Sequence, residues 1–386
     1  MTTGWSDGRP MRVVVCGTKF GQVYLEGLAA PDPAYELAGV LARGSERSRA
    51  CARHYGVPLF TSVEQLPADV DAACVVVRGG LLGGPGADLA QALLARGLHV
   101  LQEHPLHHDE LAACLRTARR HRVVYRLNSF YVHTAPVRRF LGAARELLRR
   151  QPALYVDAAC GFQVAYALLD ILGAALGRLR PWGLAGPAPL PPEVSALTGL
   201  RVPFRSLDGV LAGIPLTLRV QNQLDPADPD NYAHLLHRVT LGTEGGSLTL
   251  VGTHGPVVWS PRPDFPRDVR DEAAAAPHYD RAYAGDDHLD VPSGGVLGTA
   301  DAPSYRQVFR SVWPAGVRQA VVELRRAAEA GEDPLAAGQY HLTLCRLWQD
   351  VTARLGPPEL VSEAPPRPLS PAEVGAVASA GAGAVP

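Results

Sequence analysis

The chain has 386 residues, with 37 basic against 38 acidic side chains and a formal charge of −1. That balance gives no electrostatic reason to expect nucleic acid or an anionic membrane as partner, and no apolar run approaches the ~20 residues of a membrane span. A hydrophobic fraction of 47% supports ordinary globular cores, roughly two of them on length alone.

Residues 1–10, "MTTGWSDGRP", are polar and lack the apolar middle of a signal peptide. A disordered leader is expected there. "MRVVVCG" then reads as a short, near-continuous apolar strand of the kind a parallel sheet buries on both faces. A helix, "QVYLEGLAA", follows, and "YELAGVLAR" is strand two. Ser45 can cap the next helix, which ends before Gly56. "VPLF" is a third strand, and Ser62 with Gln65 makes a capping-box start. "DAACVVV" is strand four, "ADLAQALLAR" a helix closing at Gly97, and "LHVLQE" strand five. The helix "DELAACLRTARRH" leads to strand six, "RVVYRLN". Strands alternating with helices imply right-handed crossovers and a doubly wound parallel sheet, a Rossmann domain over residues 11–130.

From Tyr131 the texture changes. A helix ("APVRRFLGAARELLRR"), a strand ("ALYVDAAC") and a second helix ("VAYALLDILGAAL") precede longer strands: "GIPLTLRVQNQL", "HLLHRVTLGT", "GSLTLVG" and "PVVWS". Thr243-Glu244-Gly245-Gly246 supplies hairpin-turn chemistry. Residues 261–303 are a long Pro-, Asp- and Gly-rich insertion, and helices over 305–330 and 335–355 close the fold. The expectation for 131–356 is an α+β domain whose open, mostly antiparallel sheet carries helices on one face. Residues 357–386 are rich in Pro, Ala and Gly and read as a disordered tail. The six cysteines lack paired spacing, which points to a reduced, cytoplasmic protein without disulfides or a cysteine metal site.

A strand, a glycine turn and a helix form the place where a pyrophosphate binds. The turn Gly17-Thr18-Lys19-Phe20-Gly21 follows strand one, and its Lys19, the one lysine of the chain, stands where the dinucleotide fingerprint has its middle glycine. NAD binders place an acidic residue at the end of strand two. Here Arg43, Gly44, Ser45, Arg47 and Ser48 stand there instead, suited to a 2′-phosphate. Glu46 is read as facing solvent on the first helical turn. NADP(H) is therefore the expected cofactor, with Arg78 after strand four and Glu103, His104 and Asn128 at the ends of strands five and six completing its site.

In an open α/β sheet, chemistry sits beyond the carboxyl ends of the strands. Strand five ends in "QEHPLHH" and strand six in "NSFYVHT". Glu103-His104-Pro105 resembles the Glu-Lys-Pro signature of the glucose–fructose oxidoreductase and inositol dehydrogenase superfamily, with His104 in place of the lysine. That superfamily's sugar oxidation uses the lysine and a histidine as proton carriers. The helix that usually carries an Asp/His pair has Asp170 and no histidine beside it. "GTKFG", "ARGSERSR", "VVVRGG", "QEHPLH" and "NSFYVHT" together more closely resemble the thiazolinyl imine reductases, over roughly residues 11–355. The resemblance implies NADPH-dependent reduction of a thiazoline C=N to a thiazolidine, on an intermediate tethered to a nonribosomal peptide synthetase carrier in siderophore-type biosynthesis. It also implies Tyr131 and His104 as candidate proton donors.

The chemistry of those residue types agrees. Hydride addition to the imine carbon leaves the ring nitrogen needing a proton from a weak acid within hydrogen-bond reach. A tyrosine (pKa about 10) stays a donor over the working range, and a histidine (about 6.5) can donate or polarise it. Tyr131 is the favoured donor, with His104 its partner or the alternate acid. The competing readings are a packed aromatic for Tyr131 and a pocket-shaping residue for His104. His104, His107 and His108 straddle a strand end and a proline, which suits no metal. His133 reads as a supporting or surface residue. A homodimer through the open sheet face is expected. Two other functions fit the same fold, a sugar or polyol dehydrogenase and a non-catalytic NADP-binding sensor or scaffold.

Overall fold

The computed structural model describes residues 8–77, 84–229, 231–263, 290–362 and 366–382. Six strands, β1 (Met11–Cys16), β2 (Tyr35–Leu41), β3 (Leu59–Phe60), β4 (Ala72–Val75), β5 (His99–Glu103) and β6 (Tyr125–Asn128), form one sheet. Its order is β3-β2-β1-β4-β5-β6, and every pairing is parallel. The apolar strand runs are explained by burial on both faces: from Val13 to Cys16 and from Ala72 to Val75 no side chain is exposed. Helices α1 (Gly21–Ala29), α2 (Glu46–Tyr55), α3 (Gly86–Ala95) and α4 (His108–His121) alternate with the strands. Ser45 caps α2 by accepting from Ser48 N, and Gly56 ends it in the left-handed conformation. The capping box expected at Ser62 does not form. A single turn spans Val63–Gln65, and Gln65 reaches back to Thr61 instead.

The second sheet has eight strands. They are β7 (Ala153–Gly161), β8 (Trp182–Leu184), β9 (Phe204–Leu211), β10 (Ile214–Gln221), β12 (His237–Thr243), β13 (Gly246–Leu250), β14 (Val257–Pro261) and β15 (Gly295–Leu297), in the order β15-β14-β13-β12-β7-β10-β9-β8. All its pairings are antiparallel except β7 with β10. Helices α5 (Ala135–Arg150) and α6 (Ala165–Leu176) pack against it. The hairpin expected at Thr243–Gly246 is present, with those two residues paired across it. Strands β8 and β9 were not expected. Exposed Arg205, Ser206 and Asp208 break the hydrophobic alternation of β9 that a strand reading needs.

The closing helices are α7 (Trp313–Glu329) and α8 (Pro334–Leu355). The helix expected over 305–330 is interrupted: a short turn at Tyr305–Gln307 and a π-helical turn at Val308–Val312 precede Trp313. Although they follow the second sheet in sequence, α7 packs on α1 and α8 on α4. A Cβ on Gly27 of α1 would lie 2.9 Å from Val317 Cβ, so this helix pair meets at a distance that only glycine permits. The two sheets thus share one continuous apolar core. Part of the segment read as a tail is ordered. A two-stranded sheet pairs β11 (Gln223–Leu224) with β16 (Glu359–Leu360), and Pro371–Ala382 forms an exposed helix, α9.

Gly17, directly after β1, has φ +99°, and a Cβ there would stand 2.4 Å from the Val76 carbonyl oxygen. Gly17→Ala is expected to lower the unfolding free energy by about 1–3 kcal/mol, read as a lower urea midpoint. An unchanged midpoint would show that the turn relaxes without cost.

Candidate functional site

The carboxyl ends of β5 and β6 lie side by side, with Glu103 in register with Asn128. Asn128 is buried, and every polar group on it with a partner bonds within the protein. Its side-chain NH2 donates to Tyr24 Oη at 2.6 Å, and its side-chain oxygen accepts from the Phe130 N–H at 2.9 Å. Its carbonyl accepts from His104 N at 3.0 Å and stands 3.1 Å from His104 Nδ1. Asn128, expected at the cofactor, is also a junction that holds the site together. Tyr24 in turn donates to Glu103 Oε2, and Glu103 Oε1 lies 2.9 Å from His104 Nδ1.

His104 Nδ1 faces a carboxylate and a carbonyl, both acceptors, so the ring proton resides on Nδ1. Nε2 is left as the ring nitrogen available for chemistry. The ring stacks on buried Tyr166 with centroids 5.2 Å apart and planes 22° apart. Glu103, expected at the cofactor, thus orients His104 with one oxygen and holds Tyr24 with the other.

Tyr131 follows a strained turn. Phe130 has φ +68° and ψ −58°, and Tyr131 N donates to Ser129 O at 2.8 Å, a γ-turn closed across a residue with positive φ. Such strain persists only where the surroundings impose it. Here Asn128 holds the Phe130 N–H, and the Ser129 hydroxyl donates to Asp170. Asp170 also accepts from Tyr340 Oη at 2.7 Å. Burial, and after it the charge of Glu103, pushes the Tyr131 phenol above its ordinary value. Tyr131 therefore stays protonated across the working range.

The aromatic surroundings tie the two domains together. Phe20 of the glycine turn meets Tyr24, Phe130 and Trp313 edge-on at 6.3, 5.5 and 5.9 Å. Trp313 also meets Tyr131 at 6.3 Å, and its N–H donates to His254 Nε2 at 3.1 Å. His237, at the start of β12, lies edge-on to Tyr131 with centroids 4.7 Å apart. Sequence reading missed His237, Tyr24, Tyr166 and Trp313. Only tertiary folding brings them to the strand ends, and no motif signals them.

The expected cofactor residues fall into two groups. Gly17 and Gly21 form the turn, and at the start of the following helix the Gln22 and Val23 N–H groups donate to Lys19 O and Phe20 O at 3.2 and 3.0 Å. Lys19 is exposed and has no ion-pair partner among the described residues, whereas Thr18 is buried and its carbonyl accepts from Gln22. At the end of β2, Arg43 and Arg47 are exposed with no ion-pair partner among the described residues. Glu46 is taken up by Arg53 at 2.8 Å and Arg49 at 3.9 Å on the outer face of α2. Gly44 has φ +77°, and Ser45 is exposed. Ser48 is fully buried, and its hydroxyl donates to Ser45 O at 2.7 Å inside the first turn of α2. Phe20 belongs to the aromatic cluster described above. Arg78 lies outside the described residues.

The neighbouring histidines point to separate partners. His107 N bonds Glu110, His108 pairs with Asp109, and His133 sits 3.5 Å from Glu323. Burial alone would raise the Glu323 carboxyl, but His133, Gln319 and Arg126 together hold it down to about 2.

Residues 11–129 match the oxidoreductase family with an NAD-binding Rossmann fold, GFO/IDH/MocA. Residues 151–260 match the C-terminal domain of the Irp3-like thiazolinyl imine reductases. Among curated proteins, none matches the chain. Solved structures share the fold at low identity. The UDP-N-acetylglucosamine 3-dehydrogenase GnnA from Acidithiobacillus ferrooxidans is 16% identical, with 89% of this chain and 97% of that chain covered at a TM-score of 0.59. GenD2 from gentamicin A biosynthesis, in complex with NAD, is 16% identical, with 88% and 93% covered at 0.56. A 3-ketoreductase from Actinomadura kijaniata, in complex with NADP, is 15% identical, with 92% and 100% covered at 0.60. Among the described residues, no helix is long and apolar enough to cross a membrane.

Two buried histidines make the fold sensitive to acid. Burial holds His99 down to about 4 and His237 down to about 3, against an ordinary 6.5. Both are neutral when folded, while the unfolded chain takes up their protons below about 6.5. Their contribution is complete above that pH and is lost as pH falls toward the folded values. Lowering the pH from 7 to 5 should cost about 2 kcal/mol of unfolding free energy per histidine. Urea unfolding at the two pH values measures this, and His99→Gln should remove its own share of the dependence.

Proposed function

We propose NADPH-dependent reduction of a thiazoline C=N to a thiazolidine for this chain, whose residues 11–129 match the NAD-binding Rossmann domain of the GFO/IDH/MocA oxidoreductases and whose residues 151–260 match the C-terminal domain of the Irp3-like thiazolinyl imine reductases. The observation that carries the proposal is the presentation of Tyr131 and His104, both anchored by Asn128, at the ends of β6 and β5 beside a C-terminal domain of the imine reductase type. The position of Asp170 supports it. Its carboxylate is buried between Ser129 and Tyr340 and braces the tyrosine turn, so it is not exposed to a sugar hydroxyl.

The turn from Gly17 to Gly21, with Arg43, Gly44, Ser45 and Arg47, would hold NADPH, which supplies the hydride when bound. The free guanidinium groups favour the 2′-phosphate. Tyr131 holds a proton on its hydroxyl for the ring nitrogen. His104, with Nδ1–H committed to Glu103 and Asn128, would take a proton from solvent on Nε2 and pass it on to the Tyr131 oxygen left deprotonated by the transfer. Glu103 orients the His104 ring through its carboxylate. The aromatic walls from buried Phe130 and Tyr166 and half-buried Trp313 would exclude water from the reacting bond. A carrier-protein-tethered intermediate of nonribosomal siderophore-type biosynthesis as substrate, a homodimer through the uncovered face of the second sheet and a cytoplasmic location complete the proposal.

NADPH oxidation with a synthetic thiazoline is the direct assay. Tyr131→Phe should lower kcat by about 10²–10⁴-fold, His104→Ala less, and the double variant should add little to the tyrosine change. NADPH affinity should stay near wild type in all three. Full turnover by the double variant, or robust oxidation across a sugar panel with NADP, would reject the assignment. Arg43→Ala and Arg47→Ala should each weaken NADPH about tenfold, as expected for the loss of one charge-assisted phosphate contact, and leave NADH affinity unchanged. Equal weakening of both cofactors in titration would place these residues away from the 2′-phosphate.

A further inference from the structure

His237 has a role that the proton chemistry leaves unused. It opens β12, is 1% exposed, and packs against the ring of Tyr131. Its backbone N–H donates to Thr253 Oγ1 at 3.0 Å, and its Nδ1 lies 3.0 Å from the same oxygen. Its Nε2 lies 3.2 Å from the Val164 carbonyl oxygen. A carbonyl can only accept, so Nε2 carries the ring proton. The Thr253 hydroxyl accepts from the backbone N–H and donates its own hydrogen to Nδ1. Both ring nitrogens are thereby committed, and neither can exchange a proton with a substrate.

An aliphatic or phenyl side chain in that position would be free to turn about its last bond. Two hydrogen bonds to separate segments, the turn between β13 and β14 and the turn before α6, fix the imidazole plane. The fixed ring sets the angle of Tyr131, which is bounded on its other sides by Phe130 at 5.1 Å and Trp313 at 6.3 Å. The titratable groups that act on His237 are His104 and His254, both opposing a positive charge, and burial keeps the ring neutral over the working pH range.

We propose that His237 is a positioning residue, a neutral wedge locked by Thr253 and Val164 that aims the Tyr131 hydroxyl at the substrate nitrogen. This rests on Tyr131 being the proton donor. It makes the C-terminal domain a direct determinant of catalytic geometry, because a misplacement of about 1 Å in a reacting group costs on the order of 10²-fold in rate.

The test is a double-mutant cycle with the thiazoline surrogate, alongside an NMR measurement that needs no turnover. His237→Phe fills the space and removes both ring hydrogen bonds. It should lower kcat about ten- to hundredfold and leave NADPH affinity near wild type. In a Tyr131→Phe background the same change should have no further effect. His237→Gln, whose amide can donate to Val164 O, should recover part of the loss, and Thr253→Val should reproduce part of it if His237→Phe does not fold. An equal loss in both backgrounds, or an unchanged kcat in the wild-type background, overturns the proposal. Nitrogen-15 NMR of the unliganded protein should show His237 with Nδ1 bare and Nε2 protonated from pH 5 to 8. The opposite tautomer or a charged ring overturns it whether or not the wild type reduces the thiazoline. Failure of the wild type to turn over, with the expected tautomer present, would reject the substrate reading alone.

Discussion

The site depends on the bonding of one buried amide. Asn128 ends β6 with its side-chain NH2 on Tyr24, its side-chain oxygen on the Phe130 N–H, and its carbonyl on His104. Each bond restrains a different element: α1 through Tyr24, the γ-turn through Phe130, and the end of β5 through His104. A buried amide left unpartnered would cost more than its bonds contribute. All three elements are therefore held together or not at all. The two candidate proton donors share this anchor, which links the geometry of one to that of the other.

A second constraint comes from the opposite domain. The γ-turn at Phe130 is unfavourable in isolation, and the groups that hold it are dispersed in sequence. Asp170 and Tyr340 brace it through Ser129, while His237 and Trp313 bound the tyrosine ring. Helices α7 and α8 return from the second sheet to pack on α1 and α4, which brings Trp313 against Phe20 of the glycine turn. The glycine turn, Tyr131 and the C-terminal domain thus meet in one aromatic cluster. Asp170, which stands on the helix after β7, braces the turn before Tyr131 through Ser129 and Tyr340.

Most of the N-terminal domain was legible because its signals are local. Apolar runs of four to seven residues, the Ser45 cap and the Gly56 stop each act within one element. The same locality made the glycine turn and the paired arginines of β2 visible. Strand β9 was not legible, since its exposed polar positions carry no alternation strong enough to mark it. Ser48 appeared as a phosphate ligand by its place in a motif, and the bond of its hydroxyl inside the first turn of α2 was not visible there. Asn128 appeared as a cofactor contact by its place at a strand end, and its burial among protein partners was not visible there.

The sequence by itself determined the two-domain plan, the glycine turn after β1, the basic end of β2 and the choice of Tyr131 and His104 as candidate acids, because each follows from residue types within a few positions of one another. Only the tertiary structure decided which way those acids face and what holds them. Hydrogen bonds from Asn128 to Tyr24, 104 residues apart, and from Ser129 to Asp170, 41 apart, and ring contacts from Tyr131 to His237 and Trp313, leave no periodicity in the chain. They exist because burial forces each polar group to find a partner wherever folding has placed one.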